Sequence, residues 1–432
     1  MEFRDFLRLL DEKGMLIHIK KPVSTKLEAA GIMHALEGKP LIFENVKGYD
    51  MKVVANVFSS RKLVAMCLNK KEEELVFEMK RAIENPVEPR LFEGKTAPCQ
   101  EIVEGPSIRK LPILFHAEKD GGPYITSGVV FAYDEKYGRN MSFHRLMQID
   151  ERKFSVRILP RHLDAFLKKQ GELDVAVCIG NSINVLLAGA TSVELGFDEM
   201  AIANALERVE TVKAKTVDVE IPANSEIVLE GRITKETAPE GKFVDITGTY
   251  DRVREQPVFE VRKITRRKDA IYHGLLPSGG EHKILMGLPR EPTILREVGR
   301  VCECKNVYLT EGGCSWLHAV VQIVKKREDD GVKAIEAAFK GHSSLKRVVV
   351  VDEDIDIFNP NDVEWAIATR FQASKNLVIK PREKGSSLDP SADPITRETT
   401  KWGIDATMPL DPEKREKCKK AVFKQVRIED YL

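Results

Sequence analysis

From Ser127 to Leu276 the chain consists mostly of short apolar runs: SGVVFAY, FSVRIL, DVAVCIG, INVLLAG, EIVLEG, VFEVRKI and AIYHGLL. Brief runs rich in β-branched residues and bounded by turn residues fit strands. One helix pattern, around Asp198 to Val209, interrupts them. The stretch therefore predicts a β-rich middle domain, a barrel. After His282 the texture changes to alternation. A helix from Thr293, strand NVYLT, a helix or strand LHAVVQIVK, a helix from Val332, strand RVVVVD, a helix from Asp362 and strand NLVIK follow in turn. Such alternation predicts a mostly parallel sheet with helices on its faces.

Ahead of the middle domain, Phe3, Phe6, Leu7 and Leu10 recur at helical spacing and end at Gly14, which reads as an amphipathic helix. LIFENV and KVVAN then read as strands, and a long charged helix pattern runs from Arg61 to Glu84, giving a first α/β unit. Pro86, Pro89, Pro98, Pro106 and Pro112 mark a linker, since each removes a backbone donor and disfavours helix before it. The division is therefore 1–107, 108–290 and 291–432, consistent with 432 residues at roughly 150 per domain. Pro381 to Thr400, rich in Ser, Pro, Asp and Thr, reads as a loop.

Charge narrows the function classes. Sixty-eight Lys and Arg against 67 Asp and Glu leave a net +1, with no excess to neutralise nucleic-acid phosphates. No apolar run approaches the roughly 18 residues of a membrane span. Seven dispersed cysteines without a CxxC pair, and no signal peptide, fit a reducing cytoplasm.

Neither GxGxxG nor GxxxxGK[ST] occurs, so a nucleotide loop of either kind is not expected. In NMSFHRLM, an inward-facing His144 or Arg145 would need a partner, and for Arg145 that partner is an anion. His162 follows a strand and opens a helical pattern, as a cleft residue or a cap. Glu199, after the turn at Gly196, is a metal ligand or a first-turn carboxylate favoured by the helix dipole. Glu240 and Asp245, in APEGKFVDITG, form a proton-transfer pair or a solvated hairpin end. Asp352, Asp354 and Asp356 lie on one face of a strand end, as a cation site or a solvated acidic edge. Cys302 and Cys304 lack the second pair that zinc requires.

DGGPYIT at 120–126, NMSFHR at 140–145, LPRH at 159–162, ELGFDE at 194–199, PEGKFVD at 239–245 and KWGIDAT at 401–407, in this order and spacing, resemble the UbiD-like decarboxylases. The resemblance covers nearly the whole chain. It implies an N-terminal α/β domain, a central flavin-binding split β-barrel and a C-terminal α/β domain that forms homo-oligomers, dimer to hexamer. The implied activity is reversible, non-oxidative decarboxylation of an α,β-unsaturated or aromatic acid. Prenylated FMN, made by a separate flavin prenyltransferase, serves as electron sink.

By the same resemblance, Arg145, Glu240 and Asp245 are catalytic, with Glu240 the proton donor. Asn140, His162 and Glu199 hold Mn²⁺ or Mg²⁺, a hard donor set. Backbone carbonyls of Met141, Ala188, Gly189 and Thr191 hold K⁺, and Ser142, Phe143, Arg145, Arg161 and Lys401 contact the flavin. Lys242 and Val244 depart from the family's EGPFG, which implies a reshaped loop between the two acids.

Compact length and charge-rich composition favour trans-anhydromevalonate 5-phosphate as substrate over a prenylated 4-hydroxybenzoate or related aromatic acid. A phosphate calls for a cationic patch, for which Lys242, His273, His282 and Lys283 are candidates. A third reading, an inactive flavin-binding scaffold subunit, predicts loss of Arg145, Glu240 or Asp245; all three are present.

Overall fold

The computed structural model describes residues 1–432 as two compact units. The first comprises Met1–Pro292, Glu311–Trp316 and Leu388–Pro390; the second comprises Thr293–Thr310, Leu317–Ser387 and Ser391–Leu432.

In the first unit the helix Phe3–Glu12 buries Phe3, Phe6, Leu7 and Leu10, the face its spacing predicts. A four-stranded sheet has the order Ile17–Ile19, Leu41–Phe43, Val53–Ala55, Tyr272–Gly274. The last strand corrects the expectation for AIYHGLL, which joins this sheet rather than the β-rich one, with Tyr272 opposite Val53. All three of its residues are buried, so no alternation marks which sheet it enters. Arg61 to Glu84 is two helices rather than one: Asn69, at φ 52, ends Arg61–Leu68, and a short 3-10 turn leads into Leu75–Glu84.

A nine-stranded sheet carries the middle of the chain. Its path is Tyr124–Ile125, Leu146–Gln148, Lys153–Val156, Arg254–Arg266, Ile227–Glu240, Leu173–Ile179, Val129–Asp134, Gly138–Phe143, and Ile102–Glu104 pairs with Arg254–Arg266 off this path. The end strands do not pair with each other, so the ladder stays open. Its spine is the antiparallel ribbon Ile227–Glu240 and Arg254–Arg266, with register shifts at Glu230/Gly231 and Ile233/Thr237. At the first shift a Cβ on Gly231 would lie 2.0 Å from the Glu260 carbonyl oxygen, so only glycine fits.

INVLLAG, expected as a strand, is the helix Ile183–Ala190, buried from Ile183 to Gly189. A short, uniformly apolar run shows neither a two-residue nor a 3.6-residue period. The helices His162–Gln170 and Glu199–Leu206 follow their sequence patterns.

The second unit holds a sheet in the order Glu303–Leu309, His318–Val324, Arg347–Asp352, Glu398–Asp405, Leu377–Lys384. LHAVVQIVK is thus a strand. The central pairings are parallel and the two outer ones antiparallel, so the parallel character expected for the sheet is confined to its middle. The expected loop from Pro381 to Thr400 is shorter, because Pro381 to Lys384 and Glu398 to Thr400 extend paired strands. Of the acidic run only Asp352 is buried; Asp354 and Asp356 are exposed, as a solvated edge predicts. Buried Asp352 accepts from Arg370 Nη1 at 3.1 Å and Met408 N at 2.6 Å, and Arg370 Nη2 reaches Asp354 at 2.6 Å. No helix is long and apolar enough to cross a membrane.

Candidate active site

Strand Gly138–Phe143 ends in a bend at His144 and Arg145, and strand Leu146–Gln148 follows. The bend aims Arg145 at the end of the long ribbon, where Glu240 is the last residue of its strand. Arg145 Nε donates to Glu240 Oε1 at 2.8 Å and Nη2 to Oε2 at 3.0 Å, a bidentate fork. Nη1 donates to Asp245 Oδ2 at 3.0 Å. The cluster also holds residues that sequence reasoning missed. Nη2 donates to Asp251 Oδ2 at 2.9 Å, Arg254 Nη1 donates to the same oxygen at 2.6 Å, and Tyr124 Oη donates to Glu240 Oε1 at 3.1 Å. The Phe243 ring lies 4.5 Å from the Arg145 guanidinium carbon.

Glu240 is 0% exposed and the Arg145 side chain 11%. Burial alone would raise the Asp251 carboxyl, but hydrogen bonds from Arg254 and Arg145 pull it down to about 2. Burial, reinforced by the charge of Glu240, raises the Tyr124 phenol far above its ordinary range, so it stays a neutral donor. The DGGPYIT turn supports this corner. Gly121 N donates to Lys242 O at 2.8 Å, and a Cβ on Gly121 would lie 2.0 Å from Gly241 O. Asp120 accepts from Val244 N at 3.2 Å and Ala117 N at 3.0 Å, and burial pushes its carboxyl up to about 6.

A second cluster surrounds Glu199, the first residue of its helix and 2% exposed. Asn140 Nδ2 donates to Glu199 Oε1 at 3.0 Å, Met141 N donates to Oε2 at 3.1 Å, and His162 Nδ1 lies 3.4 Å from Oε1. Burial raises the Glu199 carboxyl against these donors. Turning the Asn140 amide over presents its oxygen instead, giving two oxygens and one imidazole nitrogen around one point, which fits a hard divalent cation. Ser142 Oγ lies 2.9 Å from His144 Nε2, and Nδ1 of that ring lies 2.9 Å from Arg157 O. Burial holds the His144 imidazole neutral, down to about 4. Ala188 and Gly189 lie in the last turn of the buried helix Ile183–Ala190, and Thr191 caps it, its N donating to Ala188 O at 3.0 Å and its Oγ1 to Leu187 O at 2.8 Å.

Arg161 Nη1 and Arg290 Nη2 both donate to Ser192 Oγ, at 3.0 and 2.6 Å. Arg290 was not singled out by the sequence. Phe143 packs against the main core. Lys401 belongs to the second unit, where it is buried and its Nζ donates to Ser343 O at 2.6 Å. Among the proposed cationic residues, His273 is fully buried with Nε2 2.9 Å from Glu281 Oε1, and His282 Nδ1 accepts from Ser278 N at 3.0 Å. Lys242 is exposed.

Three family models match in succession. Residues 7–83 match the 3-octaprenyl-4-hydroxybenzoate carboxy-lyase N-terminal domain, 90–280 its Rift-related domain, and 283–406 its C-terminal domain. The chain belongs to the UbiD family. Both clusters lie within the UbiD Rift-related segment, and Lys401 lies in the C-terminal one. Among UbiD relatives, the anhydromevalonate phosphate decarboxylase of Methanothermobacter thermautotrophicus is 44% identical, over 94% of this chain and 97% of that one. The UbiD-class enzyme HmfF from Pelotomaculum thermopropionicum, solved in complex with FMN, matches all of both chains with TM-score 0.95 and 39% identity. An evolved dimeric form of HmfF in complex with prFMN matches with TM-score 0.90 and 37% identity, again over the whole of both chains.

Proposed function

We propose that this UbiD chain is a prenylated-FMN-dependent decarboxylase that releases CO₂ from trans-anhydromevalonate 5-phosphate. The observation that carries the reading is the buried Arg145–Glu240–Asp245 cluster, in a chain 44% identical along nearly its whole length to an anhydromevalonate phosphate decarboxylase. When bound, prenylated FMN supplies the electron sink for the carbon from which CO₂ departs. Arg145 orients the substrate carboxylate and holds Glu240. The bond from that carboxylate to carbon breaks, and a proton from Glu240 takes its place on the carbon. Tyr124 and Phe243 close the wall of the cluster and keep water from it.

Asn140, His162 and Glu199 would hold Mn²⁺ or Mg²⁺, which would supply positive charge beside the cofactor's anionic group, and the carbonyls of Met141, Ala188, Gly189 and Thr191 would hold K⁺. Ser142, Phe143 and Arg161 would bind the cofactor, which a flavin prenyltransferase would supply. Residues 108–290 form the flavin-binding body, and 291–432 serve assembly into a homo-oligomer.

The test is CO₂ release by protein co-produced with a flavin prenyltransferase and purified anaerobically. The expected result is turnover of trans-anhydromevalonate 5-phosphate and none of 4-hydroxybenzoate or its prenylated form. Release from the aromatic acids alone overturns the substrate assignment. Glu240→Gln should lose about 10²–10⁴ in turnover while retaining flavin; full activity removes Glu240 as proton donor.

A further inference from the structure

We infer that His144 is a positioning residue: through Ser142 it turns the Asn140 amide so that its oxygen, not its nitrogen, faces Glu199. This rests on the reading of Asn140, His162 and Glu199 as ligands of a divalent cation, and adds what orients one of them.

Strand alternation lines the three residues up. Asn140 and Ser142 are two apart on the strand Gly138–Phe143, so their side chains share a face, and His144 continues the series just past its end. One fixed end sets the direction of every hydrogen bond along the series. His144 Nδ1 lies 2.9 Å from the Arg157 carbonyl oxygen, which only accepts, so Nδ1 carries the ring proton. The Arg157 peptide is itself held, its N donating to Arg145 O at 3.1 Å. Burial, with the charges of Arg161 and Arg157 nearby, keeps the ring neutral, so Nε2 is left as an acceptor. Ser142 Oγ, 2.9 Å away, therefore donates to it.

That commits the only proton of the hydroxyl. The Asn140 amide also meets Ser142 Oγ, at 3.3 Å. With the amide oxygen in that place, two acceptors compete for one proton. With the nitrogen there, the amide donates to a Ser142 lone pair and each group in the series has a partner. The amide oxygen then takes the place 3.0 Å from Glu199 Oε1, and no hydrogen lies between the two oxygens. The other donors at Glu199 leave this contact as it is: Met141 N takes Oε2 at 3.1 Å, and His162 Nδ1 stands 3.4 Å from Oε1. Two facing oxygens repel until a cation joins them. One imidazole tautomer thus makes the pocket favour a metal ion over a closed amide–carboxylate hydrogen bond.

Mn²⁺ is the probe. Full-length protein co-produced with a flavin prenyltransferase is stripped with a chelator and titrated, free Mn²⁺ being read by electron paramagnetic resonance. His144→Leu removes the acceptor and returns the Ser142 proton to the Asn140 oxygen. Mn²⁺ binding should weaken at least about tenfold, the usual scale for a group that orients a metal ligand. His144→Gln keeps a side-chain oxygen that accepts from Ser142, and should bind within a few-fold of the unaltered protein. Loss in the first variant and retention in the second support the inference. Equal binding in all three proteins, or equal loss in both variants, overturns it, because an acceptor is then not what matters. The tautomer itself is read in the unaltered protein, whether or not a variant folds poorly. The ¹⁵N signals of His144, identified by their loss in either variant, should show a protonated Nδ1 and a bare Nε2; the reverse tautomer overturns the inference. Failure of the ligand reading looks different: His162→Ala would then leave Mn²⁺ binding unchanged, whereas a wrong role for His144 alone leaves His162→Ala weak and His144→Leu tight.

Discussion

Two buried carboxylates in the first unit meet opposite surroundings. Glu240 sits in a guanidinium fork, with a second arginine one carboxylate away. Glu199 meets an amide, a backbone N–H and an imidazole. Burial acts on both clusters, yet Asp251 is drawn down to about 2 by its arginines, whereas Glu199 is raised. The difference teaches which cluster is complete. Around Arg145 the chain supplies its own cations, two guanidiniums among three carboxylates. Around Glu199 the chain supplies neutral donors, and a divalent cation is the partner that would balance a buried carboxylate.

The largest test of this contrast is Arg145→Ala. It leaves three carboxylates with Arg254 alone, so it should cost about 3–5 kcal/mol in denaturant unfolding, the usual penalty for breaking a buried pair, besides abolishing decarboxylation. An unchanged midpoint would mean that the cluster is not held by its arginine. Next comes His162→Ala. It should lower Mn²⁺ content and flavin retention at least about tenfold while changing unfolding little. Unchanged metal content would remove His162 from the ligand set and erase the contrast.

The smallest effect is at Asp120. Burial holds its carboxyl at about 6, above the 3.8 of an unperturbed aspartate, so across that window the unfolded chain binds fewer protons than the folded one. Stability contributed by this group is therefore present below about pH 4 and lost as pH rises to 6, by about 1 kcal/mol once solvent screening is allowed for. Asp120→Asn should flatten that decline in Tm; the same slope in both proteins would assign it to other carboxylates.

The residues proposed to bear chemistry were named through the resemblance to the UbiD-like decarboxylases, since residue type alone left each of them a bland alternative. An arginine and two acids, or an asparagine, a histidine and a glutamate, stand out in short motifs, and folding brings each set within hydrogen-bond reach. Asp251 could not be named this way. In TGTYDRVR it resembles any hairpin aspartate, and its place against Arg145 comes from pairing with Phe243. Arg290 was equally silent, since Ser192 brings it to Arg161 across about a hundred residues of chain. INVLLAG and AIYHGLL failed for a related reason. Both are buried on every side, and a side chain with no solvent face leaves no period to read.

By itself the sequence determined the local periods, the glycine bends and the chemical capacity of each position, because these depend on a residue and its near neighbours. The amphipathic first helix and the strand pattern of the long ribbon are of that kind. Only the tertiary structure decided that the ladder stays open, that Tyr272–Gly274 joins the first sheet, and that Arg145 is divided among three carboxylates. Those outcomes depend on strand register and on burial of charge, both set by contacts far apart along the chain.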